Sequence, residues 1–467
     1  MAGNNIIQFS GNTNEPEEKS PSLSFALVNV VNKSKNHAMN KDLNGGFGTA
    51  DDYGNSLLTN LIKRIKKKYV NLPIISFAFL QSILKNQGHK VDYFEGLLPN
   101  KKYDIILVYG TIVDCYNENE TCKKIKQKFP ETLVGVFGPF PSRNPEIFNS
   151  ADFVFLGEAE SFFMNDFSSI ELLKGKVQVT VMTDMNNLPQ PDYGGFPINK
   201  YRYIPAIFKK PFLVLQASKG CPYSCRYYCT YGEYQGARIR QRSPNKVVDD
   251  IVHLKKKYDA KGIQFRDPTF GLNRDFIPEF CKELKERKVN IIWGMETRLD
   301  LLTEEKLRMM YDVGLRNVNI GIETSDKDIA KKNKRLLVQE THQDKMIRLC
   351  NDIGIKVSAF YIIGYEGDTA ETIRKTVDYA ISLNTPVARF SVSTPYPGTG
   401  FYAQLEKEDR IISHDLTKYT QFNLVFNHPN FTPEQLNALL QKAYHRYYFR
   451  LGYFVNFVKW RIKEFLS

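Results

Sequence analysis

The chain has 467 residues, is 42% hydrophobic and 25% charged, and carries 64 Lys and Arg against 51 Asp and Glu, a net charge of +13. Those values exclude wholesale disorder, a collagen-like repeat and a disulfide miniprotein, and at ~150 residues per domain they allow about three domains. No stretch reaches the ~18 consecutive apolar residues of a transmembrane helix, and the lysine runs Ile62–Tyr69 and Leu254–Lys261 read as solvated helix faces rather than as a nucleic-acid patch.

Residues 1–22 are polar and read as a disordered tail. They lack the basic start and apolar core of a signal peptide, so a cytoplasmic location is expected. A first α/β block follows, over 23–185. Phe25–Val31 reads as a buried strand, followed by a glycine-bearing loop, Asn44–Gly54. Ile75–His89 has a helical pattern with Gly88 placed to end it. Tyr103–Gly110, Thr132–Gly138 and Asp152–Gly157 are continuous apolar runs, as central parallel strands require. Each ends in glycine, where a loop would leave the carboxyl edge of a doubly wound sheet, the edge at which such sheets bind ligands. Residues 186–206 hold enough Pro and Gly to read as a linker.

The second block, 207–400, has six strand patterns: Phe212–Ser218, Gly262–Asp267, Asn290–Arg298, Asn317–Thr324, Lys356–Gly364 and Pro386–Thr394. Helical patterns alternate with them, one opened by Ser243 and Pro244 and another by Thr369, whose cap reads as weak. Six β/α units predict a partial barrel. Residues 401–467 read as helical. Their aromatic, basic end, Ala443–Leu466, is expected to pack on the barrel; a membrane interface is the alternative.

Of seven cysteines, Cys221, Cys225 and Cys229 fall on the loop after the first barrel strand, at the end where barrel enzymes keep their chemistry. Three thiolates on a short loop can hold three corners of an iron–sulfur cluster and leave the fourth iron open. Structural zinc is the alternative, with a fourth ligand from elsewhere in the chain. Polar residues end the next strands: Arg266 and Asp267, Glu296 and Arg298, then Glu323.

The phrases Lys219–Cys229, Phe265–Asn273, Glu296–Asp300, Asn319–Asp326, Phe360–Gly364 and Thr394–Tyr402, with Phe137–Ser142 and Phe155–Glu160 in the front half, resemble the cobalamin-binding class of the radical S-adenosylmethionine (SAM) superfamily. One feature departs from the family pattern: both cysteine gaps are three residues, where the second is usually two. The resemblance implies a Rossmann-like cobalamin-binding domain, a (β/α)6 radical SAM partial barrel and a helical extension. It implies a [4Fe–4S] cluster on Cys221, Cys225 and Cys229. It implies SAM near Tyr228, Arg266, Asp267, Glu296, Arg298 and Glu323, and cobalamin against Gly45, Gly46, Gly48, Gly138, Ser142, Gly157 and Glu158. None of the seven histidines stands in the Asp-x-His-x-x-Gly motif that ligates cobalt in many such modules.

The activity implied is methyl transfer to an unactivated carbon through a 5′-deoxyadenosyl radical. A radical SAM cyclase or oxidative enzyme, and a non-catalytic cluster or cobalamin binder, stand as alternatives. The partners implied are a small-molecule substrate, which the aromatic tail marks as hydrophobic, and an electron donor such as flavodoxin or ferredoxin. No specific nucleic acid is expected. Tyr361, Tyr365 and Tyr396 are candidates for the substrate pocket.

Overall fold

The computed structural model describes residues 22–31, 39–51, 54, 57–204 and 206–466; all but Ser22 of the tail expected over 1–22 lies outside them. In the front block β1 (Ser24–Asn29), β2 (Lys90–Glu95), β3 (Ile105–Tyr109), β4 (Leu133–Phe137), β5 (Phe153–Leu156) and β6 (Gly175–Gln178) form one parallel sheet in the order β2-β1-β3-β4-β5-β6. The order reverses between β1 and β3, and ligands bind at the carboxyl ends of such a switch point. The glycine loop leaves β1 there.

Successive residues of β1 point to opposite faces. Phe25 and Leu27 join one core with Phe77 and Leu80 of α1 (Ile75–Asn86), while Ala26 and Val28 join a second with Cys122 and Ile125 of α2 (Cys115–Lys128). Fully burying one such side chain contributes about 1.5–3 kcal/mol. Burial on both faces is why the strand reads as a continuous apolar run.

The second sheet is parallel and six-stranded, in simple sequence order: β7 (Phe212–Leu215), β8 (Gly262–Phe265), β9 (Ile292–Thr297), β10 (Leu315–Glu323), β11 (Lys356–Ile363) and β12 (Val387–Val392). Groups from β10, β11 and β12 and from the ends of β8 and β9 line one cavity, so the sheet curls into an open partial barrel. Ser243 and Pro244 open α3 (Pro244–Tyr258), although the Ser243 hydroxyl bonds Asn186 rather than the helix backbone. Thr369 is a stronger cap than expected: with Thr372 it completes a reciprocal capping box at the start of α4 (Ala370–Leu383).

The linker is not loose. Asp192 accepts hydrogen bonds from Lys85 and Lys257, each at 2.8 Å. Tyr193 donates to the Val214 carbonyl, and Phe196 stacks on Tyr93. Arg202–Tyr203 even pairs antiparallel with Val70–Asn71, a strand the prolines argued against. At the other end, Tyr444, Tyr447 and Tyr453 donate to the carbonyls of Phe390, Thr385 and Pro386, as expected of aromatics that pack on the barrel.

Candidate active site

The carboxyl edges of the two sheets face each other across two adjoining cavities. The front one, about 90 Å³, is lined by Gly45, Gly46, Gly138, Ser142, Gly157 and Glu158 on one side, and by Lys219, Tyr231 and Arg266 on the other. Glycine is required in that wall. Gly46 has φ +87°, and a Cβ there would lie 2.4 Å from Tyr109 Oη and 2.9 Å from Pro139. Gly138 has φ +132°, and its Cβ would lie 2.9 Å from the Gly110 carbonyl. The backbone itself therefore forms the surface, the arrangement a large flat ligand needs for close approach. Gly48 is different: it lies outside the cavity lining, and its Cβ would strike Val113, so it shapes the loop. Buried Glu160 also lines the cavity, and its Oε1 has no hydrogen-bond partner among the described residues.

Two neighbouring residues fix the loop. Lys41 is buried between Asp114 (2.8 Å) and Glu118 (2.5 Å) of the front block. Asp42 turns the other way and pairs with Arg266, which also pairs with Glu296. Despite burial, Asp42 and the nearby phenols of Tyr231 and Tyr203 hold the Arg266 guanidinium above its ordinary value.

The cysteine loop starts and ends in a two-residue antiparallel ladder, Ser218–Lys219 with Arg240–Gln241. Gly220 takes φ +89°, where a Cβ would lie 2.2 Å from the Arg238 carbonyl. A 3-10 turn over Ser224–Tyr227 absorbs the extra residue of the second gap, with the Cys229 amide bonding the Cys225 carbonyl at 2.9 Å. Residues four apart on a helical turn share a face, so the two thiols are neighbours. That neighbour holds the Cys225 thiol below its ordinary value, helped by Arg335 and Arg298, and raises Cys229. Cys221 and Cys225 are buried, Cys229 partly so.

The second cavity, about 190 Å³, is lined by Tyr228, Cys229, Arg266, Glu296 and Glu323, together with Arg389, Tyr396 and Gln421. A bulge after Gly321 leaves Glu323 at φ +73°, a strained conformation for a residue with a side chain. Burial raises the Glu323 carboxyl against the pull of Arg335 and Arg298. Arg266 and Tyr231 line both cavities and form the wall between them.

Two expected SAM residues lie outside the lining of this cavity. Asp267 is fully buried and accepts from the Ala217 amide and the Ser218 hydroxyl, so it ties the end of β8 to the end of β7. Arg298 chelates Asp300, lies 4.3 Å over the Tyr223 ring and leaves Nη1 unpartnered among the described residues, beside the cysteine loop. Tyr361 stacks on Phe390 in the core and Tyr365 meets Tyr228 edge-on; of the three pocket tyrosines, Tyr396 lines the cavity.

Asp42, Arg335, Arg389 and Gln421 were not singled out from sequence. Asp42 meets Arg266 across 224 positions, and Gln421 accepts from Arg389 after the barrel has ended. No local spacing signals either contact.

Three thiols share one loop beside the Arg298 and Arg335 guanidinium groups, a donor set that could hold three corners of an iron–sulfur cluster. The glycine wall and Ser142 offer bare backbone and a hydroxyl to a ligand at the front cavity, and Glu160 Oε1 faces Lys219 at 3.7 Å.

Residues 215–380 match the radical SAM superfamily. The chain is 26% identical over 411 residues to an uncharacterized methyltransferase, PH0819, of Pyrococcus horikoshii, covering 81% of this chain and 88% of that protein. It is 27% identical over 392 residues to the anaerobic magnesium-protoporphyrin IX monomethyl ester cyclase of Rubrivivax gelatinosus, covering 75% and 69%. The cobalamin-dependent SAM radical enzyme OxsB, solved with aqua-cobalamin and SAM, superposes with a TM-score of 0.65 at 14% identity, over 92% of this chain and 67% of that one.

Proposed function

We propose that this chain, which belongs to the radical SAM superfamily through residues 215–380, is a cobalamin-dependent enzyme that transfers a methyl group to an unactivated carbon of a small-molecule substrate. The observation that carries the reading is the pair of adjoining cavities, one walled by glycine backbone and the other by Cys229 and strand-end charges, separated by Arg266 and Tyr231. Residues 23–185 form the cobalamin-binding domain, 186–206 the linker, 207–400 the radical SAM barrel and 401–467 the helical extension.

Cys221, Cys225 and Cys229 hold a [4Fe–4S] cluster. Gly45, Gly46, Gly138, Ser142, Gly157 and Glu158 lie against cobalamin. When bound, these groups with SAM supply a 5′-deoxyadenosyl radical and a transferable methyl group. The protein's share is charge, orientation and dryness. Glu296 and Glu323 offer carboxylates to the SAM ammonium, and Arg298 Nη1 and Arg335 offer donors to its carboxylate. Tyr228 and Tyr396 give the second cavity aromatic walls that keep water from a radical. Arg389 and Gln421 face the substrate side. The enzyme works in the cytoplasm with a small electron donor such as flavodoxin or ferredoxin.

Methyl transfer is preferred to cyclisation because several of the relatives carry methyltransferase or methylase names beside the cyclase. The test is anaerobic iron–sulfide reconstitution followed by dithionite, SAM and cobalamin. 5′-Deoxyadenosine and S-adenosylhomocysteine, both read by mass spectrometry, are the expected products. A reconstituted protein that loads no cluster while a family control does would overturn the reading.

A further inference from the structure

We propose that the outward face of the last helix, α5 (Leu451–Leu466), docks the enzyme on an anionic membrane surface.

The observation behind it is a helix that is apolar on two sides. Tyr453, Phe457 and Trp460 turn inward, and Tyr453 packs against Tyr447 and Tyr448 at 5.8 and 4.9 Å. Leu451, Phe454, Val455, Val458 and Ile462 turn outward and are 80, 54, 47, 56 and 53% exposed. Their spacing of three, four, seven and eleven residues from Leu451 places them on one helical face. Phe449, 47% exposed, extends the stripe at its start.

The core does not explain that face, since the inward residues already anchor the helix. From Leu451 to Ile462 the stripe runs about 17 Å at 1.5 Å per residue and exposes roughly 600 Å² of apolar surface, at the top of the range for a monomer. That area falls short of the ~800 Å² per partner of a standard protein interface. The charge around it also selects an occupant. Residues 451–466 hold three Lys and Arg against one Glu in sequence, and Lys459 is exposed beside the stripe, while Arg446 and Arg450 just before the helix are engaged by Asp378 and Asn384. A second copy of the chain would set these cations against their equivalents, whereas an anionic bilayer complements them. No described helix is long and apolar enough to cross a membrane, so the contact is with the surface.

The experiment is flotation of the full-length protein with vesicles of phosphatidylcholine alone and of equal parts phosphatidylcholine and phosphatidylglycerol. Binding to the anionic vesicles is expected to be about tenfold tighter or more, and to weaken with salt. The double substitution Phe454→Ser with Val458→Ser is expected to weaken it about tenfold, and Lys459→Glu by less. Both apolar side chains are exposed, so the thermal midpoint of the double variant is expected to match the parent. Failure to float, equal binding to both vesicle types, or binding untouched by the double substitution would overturn the proposal. So would sedimentation showing a dimer that the double variant dissolves, because a second copy would then cover the face.

Discussion

The two cavities differ in what their walls are made of. In the front cavity one stretch of wall is bare backbone: Gly45, Gly46, Gly138 and Gly157 put no side chain there, although Glu158, Glu160, Lys219 and Arg266 bring charge to its rim. The rear wall is side chains, with Cys229, Glu296, Glu323 and Arg389 presenting charge or a thiol to the space. A backbone wall selects by shape and fails when a methyl group is added. A side-chain wall selects by charge and fails when a group is removed. The same sheet edge, built twice, thus supports two kinds of recognition.

Cys229→Ala tests the rear wall alone. It is expected to lower 5′-deoxyadenosine formation by about 100-fold or more, equivalent to ~2.7 kcal/mol, and to leave cobalamin binding unchanged by absorbance titration. A parallel loss of cobalamin would show that the cavities are one. Gly46→Ala tests the front wall. Its Cβ would lie 2.4 Å from Tyr109 Oη, and with the strain of a positive φ the expected loss of cobalamin affinity is about tenfold. Adding Tyr109→Phe removes the nearest atom and should restore part of it, while SAM cleavage stays at the parental level.

Asp42→Asn acts on the partition between them. It takes one carboxylate from Arg266, and SAM and cobalamin affinities are expected to move together, by about 3–10-fold. Movement of one without the other would separate the cavities energetically. Asp267→Asn is expected to do least at either site, changing SAM affinity by less than about twofold. Its signature is pH. Burial raises the Asp267 carboxyl from 3.8 to about 7, so the unfolded chain ionises first. The Asp267 contribution therefore makes stability fall as pH rises from about 4 to about 7, and the substitution should flatten that slope in urea midpoints.

Much of the fold was legible because burial leaves a periodic trace. β1 and β3 are covered on both faces and read as unbroken apolar runs, and all six barrel strands lie within a few residues of their expected ends. The cysteine loop was legible because its three thiols are local. What sequence could not give is direction. Asp267 and Arg266 are adjacent and equally polar at a strand end, yet one bonds the neighbouring strand's backbone and the other crosses to the front block. Arg335 reaches Glu323 from beyond the following helix. The linker misled for a related reason: prolines exclude regular structure, not close packing, and Asp192 gathers two lysines there.

Glu158 carries a last consequence, for modularity. It stands on the front block but pairs with Lys219 at 3.3 Å and Arg240 at 2.6 Å, the two cations at the neck of the cysteine loop. Both are buried. A replacement front block that covered them without a carboxylate at that place would leave two positive charges buried and uncompensated. Removing one partner of a buried ion pair costs about 3–5 kcal/mol, against a typical total of about 5–15 kcal/mol for a folded protein. The two halves are therefore not interchangeable parts, and a chimera that replaces the front block must carry a carboxylate to the same place.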